Sequence, residues 1–109
     1  MQRKHILQFI CLSLWVAMSS APKAATEEIT VLLDWFINPD HAPIIIADQY
    51  GYFKEEGINV KIIEPADPND PPKQVAAGKI DIAVSYQPQF HLQIDQSLPI
   101  VRLGSLVST

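Results

Sequence analysis

The 109-residue chain has one cysteine, Cys11, so it can form no internal disulfide and no cysteine-based zinc site. Its four glycines fall in neither a G-x-G-x-x-G nor a G-x-x-x-x-G-K-[ST] pattern, which removes the familiar phosphate-cradling loops. His41 and His91 have no near-spaced histidine or cysteine partner, so metal-ligand spacing is missing. Ser85 lacks the G-x-S-x-G setting of a hydrolase elbow. Only 18% of residues are charged and the formal net charge is -4, which argues against nucleic acid or an anionic membrane surface as the main partner. What remains is 48% hydrophobic, an ordinary globular composition that excludes a coiled coil, a collagen-like chain and a disordered tail.

Residues 1–24 read as a secretory signal peptide. Arg3 and Lys4 supply a basic start, Ile6 to Met18 a mostly apolar run, and Ser19, Ser20, Ala21, Ala24 and Ala25 small residues around a cleavage site. The apolar run is shorter than the ~20 residues a spanning helix needs, so no stable membrane span is expected. Cleavage is expected after Ala24 or Ala25, since Pro22 obstructs the earlier small-residue site. Processing removes Cys11 and three basic residues, leaving five basic against twelve acidic residues, a net charge of -7. The expected destination is the periplasm or the outside of the cell.

Residues 25–109 alternate strand and helix patterns. Ile29 to Asp34 is a β-branched apolar run and predicts a buried strand. Asn38-Pro39-Asp40 is a turn cluster, with Asp40 placed to cap a helix from Ala42 to Tyr50 that stops at Gly51. The aromatics of Tyr50-Gly51-Tyr52-Phe53 are expected in the core. Ile58 to Glu64 predicts a second strand. Asp70 and Pro71 open a short helix ending at Gly78, Ile80 to Val84 predicts a third strand, Pro88 opens a third helix ending near Ser97, and Ile100 to Val107 predicts a fourth strand. The order is βαβαβαβ, an α/β architecture with a parallel sheet.

In open parallel sheets ligands bind beyond the carboxyl ends of the strands, where strand order reverses. If strands two and three flank strand one, residues 34–41 and 85–89 meet there. Trp35 and Tyr86 offer flat faces, Asn38, Ser85 and Gln87 offer donors and acceptors, and His41 a titratable ring. The set suits a small, planar, polar ligand. Plainer readings stand beside each residue: Trp35 as a lid on the core, Asn38 as a turn former, His41 as a structural histidine, Asp34 as a loop cap. No metal and no cofactor is called for by these residues.

The runs LLDWFINPDHAPIIIADQYGYFKEEGINVKIIEP and GKIDIAVSYQPQ resemble the periplasmic solute-binding proteins of ABC importers. The motifs D-W-F-x-N-x-D-H-x-P, G-Y-F-K-E-x-G and G-K-x-D look closest to the branch that shares its fold with the fungal thiamine-pyrimidine synthases. The resemblance covers Glu28 to Thr109. It implies the type II periplasmic-binding-protein fold, two α/β lobes closing on a ligand, with this sequence forming part of the first lobe and the second lobe absent. It implies a thiamine-pyrimidine ligand such as an aminopyrimidine or formylaminopyrimidine, an ABC permease as partner, and a ring held by Trp35, Asn38, His41, Tyr86 and Gln87. A truncated chain is accordingly expected to bind weakly alone. The alternative implied is a biosynthetic enzyme of the synthase type, which holds pyridoxal phosphate on a lysine and consumes a histidine four residues later. An ungapped count from Asp81 places those two positions on Ser85 and Gln89. Serine forms no Schiff base and glutamine supplies no imidazole, so the binding protein is the expected function.

Overall fold

A computed structural model describes residues 26–107; the proposed signal peptide over residues 1–24 lies outside them. Three parallel strands form one sheet in the order β2-β1-β3: β1 over Glu27–Leu32, β2 over Ile58–Ile63 and β3 over Ile82–Ala83. Between β1 and β2 lie a 3-10 turn over Pro39–His41, helix α1 over Ala42–Gln49 and the short helix α2 over Tyr52–Glu55. Helix α3 covers Pro71–Ala76 and helix α4 Gln87–Asp95. This is the expected α/β alternation, and β1 is the central strand.

The pairing explains the core. Val31, Leu32 and Leu33 are buried because β1 has a strand on each side and both of its faces are covered. The ladder with β2 runs in step from Glu27 opposite Ile58 to Leu32 opposite Ile63 and continues past the strand ends, where Leu33 N–H donates to the Ile63 carbonyl at 2.8 Å. On the other side only Val31 opposite Ile82 and Leu32 opposite Ala83 pair, and Val84 N–H donates to the Leu32 carbonyl at 2.9 Å. The Asp81 carboxylate extends this thin seam by accepting the Thr30 N–H at 2.8 Å. The aspartate of G-K-x-D thus holds β3 to β1.

Four sequence expectations are corrected, the first being the third strand, expected over Ile80 to Val84 and formed only over Ile82–Ala83. The predicted fourth strand, Ile100 to Val107, is not a strand: it joins no ladder with the described strands, and Val101 and Leu103 are exposed. A run of apolar residues becomes a strand only where a neighbour accepts its backbone hydrogen bonds, and Gly104 weakens it further. Tyr50 and Tyr52 do not enter the core; they stack on each other at the surface with ring centroids 6.0 Å apart. Asp40 does not cap the helix: Asn38 caps the 3-10 turn, its side-chain oxygen accepting the Asp40 N–H at 3.0 Å, and α1 starts from His41 with no side-chain cap.

The ends of α3 and α4 use the same device with different residues. After α3, Gly78 N–H reaches the Val75 carbonyl and Lys79 N–H the Gln74 carbonyl, both at 2.9 Å, with Gly78 at φ 69°. After α4, Ser97 N–H reaches Ile94 and Leu98 N–H reaches Gln93 in the same pattern, with Ser97 at φ 62°. A left-handed conformation costs a side-chain-bearing residue about 1 kcal/mol or more that glycine does not lose. Ser97→Gly is therefore expected to stabilise the fold by about 1 kcal/mol, measured as a higher urea midpoint; a lower midpoint would show that the serine side chain supports this turn.

Candidate ligand-binding site

The strand order places the topological reversal between β1 and β3, where the two expected segments leave the sheet side by side. Asp34 lies two residues beyond Leu32, and Tyr86 two beyond Val84, which is bonded to Leu32. The register therefore brings the two segments together at the carboxyl end of the sheet.

Asp34 and His41 form the floor. Both are buried, His41 to 1% and Asp34 to 7% exposure, and His41 Nε2 lies 2.6 Å from Asp34 Oδ1. His41 Nδ1 accepts the Asn38 N–H at 3.3 Å, so the proton of the neutral ring sits on Nε2 and is donated to the carboxylate. Asn38 also donates its amide to the Phe36 carbonyl at 3.0 Å. The segment from Asp34 to His41 is thus knitted by its own polar side chains. Glu64, at the end of β2, pins it from the other side by accepting the Ile37 N–H at 2.7 Å.

Above the floor the apolar side chains stand open. Trp35 is 48% exposed and packs edge-on to Phe36 with centroids 5.7 Å apart, while Tyr86 is 58% exposed. A half-exposed tryptophan is not a lid on the core. Gln87 is exposed at the first position of α4. All five residues expected around a ligand belong to the two segments flanking the reversal: His41 is buried, Asn38 is half-buried, and Trp35, Tyr86 and Gln87 are exposed. Asp34 had read as a loop cap. Its ionic role depends on the burial and register that the sheet supplies.

Tyr86 carries the electrostatic signature of this arrangement. Its phenol is raised above the ordinary value of 10.0, first by its hydrogen bond to Asp34, then by that carboxylate's charge, with desolvation and Asp40 adding to both. The raised value stabilises the folded form while the phenol is protonated in both states. That contribution is present below pH 10.0 and is lost as the pH climbs through the higher folded value. Subtracting the alkaline absorbance titration of Tyr86→Phe from that of the parent should isolate a midpoint above 10.0, returning toward it in Asp34→Asn. A midpoint that ignores Asp34→Asn would separate the two side chains.

A second polar chain rims the crevice. Ser85 Oγ lies 3.4 Å from Gln89 Oε1, Gln89 Nε2 lies 3.2 Å from Asn69 Oδ1, and Asn69 is held by Asp67. The pyridoxal alternative places its lysine and histidine on Ser85 and Gln89, which instead bond each other. Lys54, Lys61, Lys73 and Lys79 lie on α2, β2, α3 and the approach to β3. The residues at this position do not fit a lysine-bound cofactor. Among the described residues, no helix is long and apolar enough to cross a membrane.

Comparison with known proteins places the chain in a family. The family model described as NMT1/THI5 like matches residues 38–109, and the chain belongs to that family. A Haemophilus influenzae protein described as a candidate thiamine biosynthesis protein is 55% identical over 91 residues, covering 84% of this chain and 29% of the relative. The formylaminopyrimidine-binding protein of Halalkalibacterium halodurans is 42% identical over 83 residues, 76% of this chain and 25% of the relative. A 4-amino-5-hydroxymethyl-2-methylpyrimidine phosphate synthase of Aspergillus parasiticus is 36% identical over 83 residues, 76% of this chain and 24% of the relative. The chain therefore spans 24–29% of the length of relatives that include both a binding protein and an enzyme, and the fold is consistent with part of a periplasmic-binding-like architecture.

Proposed function

We propose that this chain contributes part of the first lobe of an exported solute-binding protein that captures an aminopyrimidine of thiamine metabolism, such as formylaminopyrimidine, and passes it to an ABC permease. The observation that carries the reading is the pair of segments that leave the carboxyl ends of β1 and β3 side by side. It has aromatic faces at Trp35 and Tyr86, polar groups at Asn38 and Gln87, and a serine where the synthase resemblance needs an amine. His41 acts from below, by fixing Asp34 and the loop that carries Trp35. The basic start and apolar run of residues 1–24 support export. The name of the Halalkalibacterium relative supports the ligand class.

The synthase reading has its own support in the Aspergillus relative's name. Two measurements on the purified full chain separate the readings. Ligand-observed NMR with 4-amino-5-aminomethyl-2-methylpyrimidine and its formyl derivative should show binding that Trp35→Ala weakens. Addition of pyridoxal phosphate should produce no yellow Schiff-base absorbance that borohydride removes. A borohydride-sensitive band, with no pyrimidine binding, would replace the binding protein with the enzyme.

A further inference from the structure

The rim chain ends at a carboxylate, and that end sets the direction of every proton along it. Asp67 Oδ1 accepts both the backbone N–H and the side-chain amide of Asn69, at 2.8 and 3.1 Å. An ionised carboxylate only accepts, so Asn69 turns its NH2 toward Asp67 and its oxygen outward. That oxygen accepts from Gln89 Nε2 at 3.2 Å, which leaves Gln89 Oε1 to face Ser85. Ser85 then spends its one proton on Gln89 Oε1 at 3.4 Å. A hydroxyl whose proton is committed offers only lone pairs to anything else that approaches it.

We propose that Ser85 is a specificity-determining residue, held as a hydrogen-bond acceptor by the Asp67-Asn69-Gln89 chain, and that it selects ring ligands presenting an N–H donor, such as an exocyclic amine, over rings presenting a carbonyl at the same place. The proposal rests on the reading of the crevice as a pyrimidine site and names the ligand edge that this side chain reads. Ser85 is half-buried where β3 leaves the sheet, beside Tyr86. Asp34, Asp40, Glu64 and Asp67 all lie on the segments that leave the carboxyl ends of β1 and β2. Such a surface favours donors and disfavours acceptors and anions.

The test is an NMR titration of the full chain with 4-amino-5-aminomethyl-2-methylpyrimidine and with its 4-oxo analogue, reading the ratio of the two affinities. The amino form should bind about tenfold tighter or more, the effect of one mismatched buried hydrogen bond. Ser85→Ala should bring the ratio close to one. Asp67→Asn, which lets the chain run in either direction, should lower the ratio and shift the Gln89 side-chain amide resonances even without ligand. Equal affinities in the parent, or a ratio unchanged in Ser85→Ala, would overturn the role of Ser85 while leaving the pyrimidine site in place. A Gln89 amide and a ratio that both ignore Asp67→Asn would overturn the directed chain. Binding of neither pyrimidine would remove the ligand assignment and this inference with it.

Discussion

His41→Leu is expected to lower the unfolding free energy by about 2–3 kcal/mol, the usual cost of leaving a buried carboxylate without its hydrogen-bond donor. The substitution keeps an apolar body of similar size, so little of this is cavity. It leaves the Asp34 carboxylate, only 7% exposed, without the Nε2–H that sits 2.6 Å from it. It also strips the Asn38 N–H of its acceptor, loosening the turn before α1. Asp34→Asn should cost much less, on the order of 1 kcal/mol, because an amide oxygen still accepts from Nε2 and no charge is stranded. The double variant Asp34→Leu with His41→Leu should recover part of the loss, since both members of the pair are gone. Urea unfolding of the four proteins closes this cycle. A loss below about 0.5 kcal/mol for His41→Leu would place the variant among ordinary surface substitutions and remove the pair from the account.

Trp35→Ala should act oppositely, sparing the fold and damaging binding. Trp35 is 48% exposed and its ring touches Phe36 edge-on, so its stability cost should stay within about 0.5 kcal/mol. Stacking of a heteroaromatic base on a side-chain ring contributes about 1–3 kcal/mol, so affinity for an aminopyrimidine should fall by about 5- to 150-fold. Tyr86→Ala should lose affinity in the same range, whereas Tyr86→Phe keeps the face and loses only the oriented hydroxyl. Comparing Tyr86→Phe with Tyr86→Ala therefore separates stacking from polar recognition. Unchanged affinity in Trp35→Ala would take the tryptophan out of the site.

How much of this was legible in the chain depended on which interactions are local. The β1 run shows itself because a central parallel strand is apolar on both faces, and Val31 to Leu33 are. The helix stops are visible at Gly51 and Gly78 for the same local reason. The third strand is shorter than its apolar run because its length is set by pairing, and only Ile82 and Ala83 meet β1. Ile100 to Val107 has strand composition and no partner. Tyr50 and Tyr52 looked like core residues by type, yet α1 and α2 leave them at the surface. The crevice itself was readable once strand order was supposed, since Trp35 and Tyr86 each follow a strand. The parts that give it direction were not: the Asp34 pair, the Glu64 tether and the Asp67-to-Ser85 chain join residues up to 27 positions apart through loops, and no periodicity marks them.

The central claim is that the crevice between β1 and β3 binds an aminopyrimidine, and the most direct measurement supplies the length of protein this chain spans only in part. In a chimera, this chain would replace its 91-residue counterpart in the Haemophilus influenzae relative, and calorimetry would follow formylaminopyrimidine with and without Trp35→Ala. The account predicts saturable binding near the micromolar range, about -8 kcal/mol, weakened at least about fivefold by the substitution. Saturable binding that Trp35→Ala leaves untouched would place the ligand elsewhere, and no binding of any pyrimidine would contradict the assignment outright.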